Sequence, residues 1–173
     1  SRLPVREAIR TLVSEGIVVS RPRTWAVVRE FTHQDIQDFG EVREAIETLI
    51  FVFAAERHDE DGMERLRLAY EREMAAALAG DAEGARIAAG EFHEIAARLA
   101  GNDMLNELIS VFLTRLQWLF GQHDDLLAMA EEHRIILEAI EARDSDALRT
   151  LIPQHLASGR LAAERRLARG FEV

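Results

Sequence analysis

From Thr32 onward, apolar residues recur at the three- and four-residue spacing of amphipathic helices, almost without interruption. Glycine and aspartate fall where such helices would end and begin. After a first helix that starts near Thr32, the pattern predicts helices over 61–79, 82–100, 102–121, 124–142 and 144–169. Helices joined by short loops pack as an antiparallel bundle, here of six to seven members, so the fold class is mainly all-α.

The first 31 residues follow another pattern. Residues 2–14 read as a helix with Pro4 in its first turn and Gly16 just beyond its end. We expect its apolar stripe (Val5, Ile9, Leu12 and Val13) to bury one face. The β-branched runs 17–20 and 26–29 then predict a hairpin with an arginine-rich tip. Because Ser1 is a capping residue and not a start methionine, we expect residues to precede it.

Charge is unevenly distributed along the chain. The net charge is −10, yet residues 1–31 hold six arginines and three glutamates, which gives +3 and leaves −13 on the remainder. A basic head on an acidic body suits a protein that meets polyanions with one end, although so small an excess also arises by chance. The sequence has no cysteine, no membrane-length apolar run and no signal peptide. We therefore expect a soluble, cytoplasmic protein without a membrane partner.

Three of the six histidines fall on predicted inward faces of different helices: His93, His133 and His155. Imidazoles that converge in a bundle core form a natural site for Zn²⁺ or Ni²⁺, because neutral nitrogen ligands suit those ions. The alternative is three separate core histidines, each satisfied by its own hydrogen bond. Spacing alone leaves both open.

The N-terminal motifs resemble the recognition helix and wing of the GntR family of regulators. They are S-R-L-P-V-R-E-A at 1–8, E-G-I-V at 15–18 and R-P-R at 21–23. The resemblance implies that residues 1–31 are the C-terminal part of a winged helix-turn-helix domain, which binds a palindromic operator as a homodimer. Trp25 is a departure, since the family usually has glycine there.

The same resemblance assigns DNA contacts to six positions. Arg2 and Arg6 match residues that contact bases, where arginine can bond bidentately to guanine. Ser1 and Pro4 match the DNA-facing start of the helix. Arg21 matches a phosphate contact, and Arg23 matches the wing tip that approaches the minor groove. The alternative is that these arginines only solvate an exposed face.

Residues 35–165 resemble the FCD ligand-binding domain of the FadR subfamily, within a predicted effector-binding and dimerisation domain over 32–173. The segments that carry the resemblance are E-V-R-E-A-I-E at 41–47, F-H at 92–93, G-N at 101–102 and E-H-R-I-I-L-E-A-I at 132–140, with Asp144, Ala147 and His155. The likeness therefore covers nearly the whole chain. Many members hold a divalent metal with one aspartate and three histidines, and His93, His133 and His155 match the histidines.

The aspartate of that set is missing, because Ala89 occupies its position one turn before His93. Glu91 cannot replace it, since two residues along a helix point to the opposite face. Three outcomes stay open. The histidines could hold a metal with more open positions, bond an anionic ligand without metal, or form a vestigial site.

Arg43 matches an arginine near the effector pocket of family members, so the resemblance implies a small organic acid as effector. Its alternative role is an ion pair with Glu47. The overall interpretation is a DNA-binding transcriptional regulator, repressor or activator, and not an enzyme. A three-histidine metal-dependent hydrolase is the rival, but it needs a general base, and no acidic residue lies one turn from any of the three histidines on the inward face.

Overall fold

The computed structural model describes residues 2–21, 26–110, 115, 117, 119 and 125–169. Within these ranges the elements are α1 (Arg2–Ser14), β1 (Val18–Val19), β2 (Val27–Val28), α2 (His33–Arg57), α3 (Glu60–Ala79), α4 (Ala82–Leu99), α5 (Asp103–Ser110), α6 (Leu126–Glu141) and α7 (Ser145–Arg169). The mainly helical fold class is thus confirmed. The predicted helix over 102–121 corresponds to α5, and most of its second half lies outside the described residues.

The N-terminal unit is a helix followed by a small antiparallel hairpin, as its sequence predicted. Val18 pairs with Val28, and Val19 with Val27. Gly16 makes the turn into β1 with a φ of +74°, a conformation that a residue with a Cβ rarely adopts.

The expected burial of the α1 stripe was wrong within the described chain. Val5 is 59% exposed, Ile9 38% and Leu12 37%, while Val13 is half-buried. A two-stranded hairpin is too small to supply a second layer that would cover this face.

Side-chain caps define where the bundle helices begin. Thr32 and Asp35 form a reciprocal capping box at the start of α2. Asp59, Asp81 and Asp125 each accept a hydrogen bond from a backbone N–H in the first turn of α3, α4 and α6. These aspartates are among the start signals that divide the helical sequence into separate segments.

The bundle buries one main core. α3 packs against α4 and α6, and α2 packs against α7 and α4. The two contacting pairs α3–α4 and α6–α7 are joined by short turns, so each pair runs antiparallel. The largest fully buried side chains of this core are Phe51, Phe92, Ile50, Leu66, Ile136, Ile140, Leu148 and Ile152.

A second, smaller cluster joins the N-terminal unit to the bundle. Ile17, which follows the α1 turn, is buried with Phe31 and Ile36 from the start of α2, Leu119, and Ala163 of α7. Arg29, just after β2, donates to Asp35 at 2.6 Å. The hairpin base is therefore seated on the bundle, and the boundary predicted between 31 and 32 crosses this contact. That division into domains stays a prediction.

Among the described helices, none combines the length and apolar character that a membrane crossing requires.

Candidate metal and effector site

Three histidines from three helices meet in the bundle core. His93 comes from α4, His133 from α6 and His155 from α7. The Nε2 atom of His133 lies 3.2 Å from the Nε2 atoms of both His93 and His155. His133 and His155 are buried and His93 is 18% exposed in its side chain. The three histidines therefore converge, and their binding of a metal stays a prediction.

Each of these imidazoles has a glutamate at its other nitrogen. Glu47 Oε2 lies 2.9 Å from His93 Nδ1, Glu73 Oε2 lies 2.7 Å from His133 Nδ1, and Glu132 Oε2 lies 2.7 Å from His155 Nδ1. Glu47 lies close to His93 Nδ1 without the geometry of a hydrogen bond. At His133 and His155 the carboxylate is hydrogen-bonded to Nδ1, which assigns the proton to that nitrogen and leaves the Nε2 lone pair toward the common centre. This is the arrangement that outer carboxylates give to metal-ligating histidines.

Sequence reasoning missed these three carboxylates as partners of the histidines. It searched one turn along each histidine's own helix, whereas Glu73 is 60 residues from His133 and Glu132 is 23 from His155. The local signal was the position of Glu47 one turn after Arg43, which predicts an ion pair with the arginine and does not indicate a contact with His93.

The pKa shifts of His93 and Glu47 favour a neutral imidazole beside an ionised carboxylate. Burial lowers the pKa of His93, and the opposing charge of Glu47 only partly offsets this effect. Although burial by itself would raise it, the pKa of Glu47 falls to about 2, chiefly because the charge of Arg43 and its hydrogen bond stabilise the carboxylate, with a further contribution from the nearby His93. Burial raises the pKa of Glu132, partly offset by Ser158 and His133.

The aromatic rings beside the histidines hold their orientation. Phe92 stacks on His133, with ring centroids 4.7 Å apart and planes 17° from parallel. Phe51 meets His93 edge to face at 5.4 Å. Packed rings and carboxylates together restrict each imidazole, which preorganises a binding site.

A cavity of about 880 Å³ opens onto the histidines. The three histidines and Met129 belong to its buried part, and exposed residues such as Ile87 and Glu91 belong to its rim. Neutral polar side chains also line it: Asn106, Ser110 and Gln117. Its size is in the range of small-molecule pockets.

The remaining positions that the sequence analysis discussed beside the histidines, Arg43, Ala89 and Glu91, also line the cavity. Arg43 lines the cavity and its Nε donates to Glu47 Oε1 at 2.6 Å, so the alternative ion pair is present. Ala89 is buried and also lines the cavity one turn before His93. Glu91 is exposed and pairs with Arg72 at 2.6 Å. A role for Arg43 toward an effector stays a prediction.

Of the six residues predicted to contact DNA, the structure describes the side chains of three. Pro4, Arg6 and Arg21 are exposed. Ser1, Arg23 and the departure Trp25 lie outside the described residues, as does the side chain of Arg2. DNA contact by all six residues therefore remains a prediction.

Comparison with known proteins agrees with this architecture. The family model of the FCD domain matches residues 38–158. The "Probable D-xylose utilization operon transcriptional repressor" of Paenarthrobacter nicotinovorans is 27% identical, over 91% of this chain and 71% of its own length. The HTH-type transcriptional regulator LutR of Bacillus subtilis (strain 168) is also 27% identical, over 91% of this chain and 82% of that protein.

Solved structures share the fold. The chain superimposes on E. coli McbR/YncC with a TM-score of 0.83 at 19% identity, covering 95% of this chain and 85% of that one. The superposition on a GntR regulator from Rhodococcus sp. RHA1 has a TM-score of 0.78 at 22% identity. It covers 95% of this chain and 81% of that one. The FCD match spans most of the chain, so this protein belongs to the FCD-domain family as a GntR-type transcriptional regulator of the FadR kind, and it is not an enzyme.

Proposed function

We propose that this regulator changes its affinity for operator DNA when a small organic acid binds, together with a divalent metal, at His93, His133 and His155. The observation that carries the metal is the convergence of one ring nitrogen from each of the three histidines at the buried end of one cavity. Nitrogen lone pairs held 3.2 Å apart repel one another unless a proton or a metal ion lies between them.

The spacing and the charges fit such a cation. Two nitrogens bound at about 2.1 Å lie roughly 3.4 Å apart around a tetrahedral ion and roughly 3.0 Å around an octahedral one, which bracket the observed value. When ionised, Glu47, Glu73 and Glu132 together carry three negative charges, of which Arg43 offsets one. A divalent cation such as Zn²⁺ or Ni²⁺ neutralises the remainder.

The metal would supply a Lewis-acidic anchor for a carboxylate. Ala89 leaves the protein one ligand short of the aspartate-and-three-histidine set, so positions on the ion stay available to water or to the effector. Arg43 offers a second charged contact for the acid on the same cavity wall. The neutral polar residues of the cavity favour an acid that also carries hydroxyl groups. The name of one relative links it to D-xylose utilization, which is in keeping with a hydroxylated effector.

The DNA-reading part of the proposal rests on α1 and the hairpin. Arg6 is exposed near the start of α1, where a recognition helix contacts base edges. Ser1, Arg2 and Pro4 would lie at the same helix start, with Arg21 on phosphate and Arg23 at the wing tip. A homodimer would present two such helices to a palindromic operator in the cytoplasm.

Calorimetry tests the site directly. Chelator-stripped protein is titrated with Ni²⁺ and Zn²⁺, and the loaded protein is then titrated with L-lactate, citrate and D-gluconate. We expect one ion per chain, loss of that ion in His133→Ala, and retention in His33→Ala, whose histidine is exposed at the start of α2. Acid binding that persists in chelator would favour the metal-free alternative. Binding of neither metal nor acid would contradict the proposed site.

A further inference from the structure

We propose that Arg115, Gln117 and Leu119 transmit occupancy of the cavity to the DNA-reading unit, with Gln117 as the residue that senses the occupant and Leu119 as the residue that holds α1 through Ile17. The inference rests on the proposed function, because it assigns the route by which the same site controls DNA binding. Its basis is that these three helical residues contact both the cavity and the N-terminal unit.

Gln117 belongs to the cavity. Gln117 is helical and lines the cavity opposite Gly90 of α4. A Cβ built on Gly90 would lie 3.6 Å from the amide nitrogen of Gln117. Any occupant that extends from the histidines past Gly90 therefore meets this amide.

Arg115 and Leu119 contact the DNA-reading unit. Residues 115 and 119 are one helical turn apart and share a face, while residue 117 points roughly the opposite way. Leu119 is 1% exposed and is buried with Ile17. The Arg115 side chain lies against Gly16, where a Cβ would approach its guanidinium group at 3.1 Å.

These contacts occur where α1 is joined to the rest of the chain. Gly16 and Ile17 form the turn between α1 and β1, and the Ile17 carbonyl accepts a hydrogen bond from the Arg29 backbone at 2.7 Å. Ile109 of α5 reinforces the link, because it lines the cavity and packs against both hydrophobic clusters. A shift of Arg115 and Leu119 would therefore move the base of α1.

The test replaces the unidentified effector with a side chain. Gly90→Leu fills the cavity beside Gln117, and it also removes a helix-interior glycine, so the variant should fold. Binding is measured by fluorescence anisotropy on a duplex selected from random sequence by the wild-type protein. We expect the dissociation constant to change about tenfold without any added ligand, within the range of typical allosteric couplings.

Second-site variants identify the route. Gln117→Ala removes the group that the new leucine touches, and Leu119→Ala removes the contact with Ile17. The double variant Gly90→Leu/Gln117→Ala should bind DNA as Gln117→Ala alone does. Likewise, Gly90→Leu/Leu119→Ala should bind DNA as Leu119→Ala alone does. Leu66→Ala is the matched control, since Leu66 is equally buried in the main core and lies outside the second cluster. Gly90→Ala controls for size, because its Cβ makes only an ordinary contact.

Two results would overturn the inference: DNA affinity that Gly90→Leu leaves unchanged in folded protein, or a change that survives both Gln117→Ala and Leu119→Ala. Thermal melts check each fold, and Leu119→Val replaces Leu119→Ala if the latter unfolds. Failure of the proposed function looks different. A wild-type protein that binds neither metal nor acid contradicts the effector assignment, while suppression of the Gly90→Leu effect by Leu119→Ala still supports the relay.

Discussion

Glu73 Oε2 lies 2.7 Å from His133 Nδ1, and both side chains are essentially inaccessible to solvent. The other Glu73 oxygen is buried without a hydrogen-bond partner among the described residues. Burial of a carboxylate is costly unless its charge is compensated. The pair therefore suits a position behind a metal-binding imidazole, where the carboxylate fixes the ring and strengthens the ligand.

Glu73→Gln should weaken metal binding without removing a ligand. The amide keeps the shape of the side chain but loses the charge that supports His133. We expect the affinity for Ni²⁺ or Zn²⁺ to fall by about 10- to 100-fold in calorimetry. Glu64→Gln on the same helix, where the carboxylate is exposed and paired with Arg67, is the control. Equal affinities in the two variants would remove Glu73 from the site.

Ala89→Asp should tighten metal binding. Residue 89 precedes His93 by one helical turn and lines the same cavity, so a carboxylate there can reach the ion held by the histidines. The gain should appear as a lower metal dissociation constant. It should be accompanied by weaker binding of any carboxylate that uses the open position. Ile87→Asp at the exposed rim serves as control, and a comparable gain there would speak against a specific ligand position.

Arg6→Ala should reduce binding to a specific duplex while leaving the oligomeric state intact. Loss of one bidentate contact to guanine costs about 1–3 kcal/mol. Anisotropy titrations give the affinity, and sedimentation gives the oligomeric state. Arg65→Ala changes an exposed arginine on α3 and should have no effect on affinity. If Arg6→Ala binds DNA like the wild type, α1 does not read bases through this residue.

Gly16→Ala should loosen the contact between the end of α1 and the bundle more than the matched change at Gly80 loosens its own surroundings. Both glycines have a φ near +70°, where a Cβ costs about 1 kcal/mol. Only Gly16 also faces a neighbour, the Arg115 side chain, because a Cβ on Gly80 meets nothing within 4 Å. Amide hydrogen exchange should therefore rise more at Ile17 in Gly16→Ala than at Ala77 in Gly80→Ala. Equal increases in exchange at the two sites would show that the Arg115 side chain moves away from the new Cβ at no cost.

Asp35→Asn should destabilise the protein at neutral pH and much less in acid. Burial opposes ionisation of Asp35, but the hydrogen bonds from Thr32 and the charge of Arg29 prevail and lower its pKa. A lowered pKa contributes stability above the ordinary value of 3.8, and that contribution is lost as the pH falls below it. We expect a loss of about 1 kcal/mol at pH 7, as for other helix caps.

Urea unfolding at pH 7 and at pH 3 measures the difference between wild type and Asp35→Asn at each pH. The gap should shrink at pH 3, which lies below the ordinary pKa of 3.8, because the carboxyl of the unfolded chain is then largely protonated and the folded state must hold the charge against that proton uptake. Asp38→Asn, whose exposed carboxylate accepts a hydrogen bond from Gln34 on α2, is the control. A gap that is constant with pH would show that the charge of Asp35 contributes nothing.

The sequence by itself determined the helices and the inward faces of three histidines. Helical periodicity and local caps such as Thr32 and Asp59 are set by residues within a few positions of one another, so they can be read along the chain. The same local reading failed for α1, whose stripe of Val5 and Ile9 indicates a buried face but cannot indicate what would cover it.

Only the tertiary structure decided what the histidines meet. Glu73 and Glu132 reach His133 and His155 from distant parts of the chain, and Gln117 and Leu119 acquire opposite neighbours only when the bundle closes around them. Contacts of this kind depend on how helices cross, which side-chain spacing within a single helix does not specify.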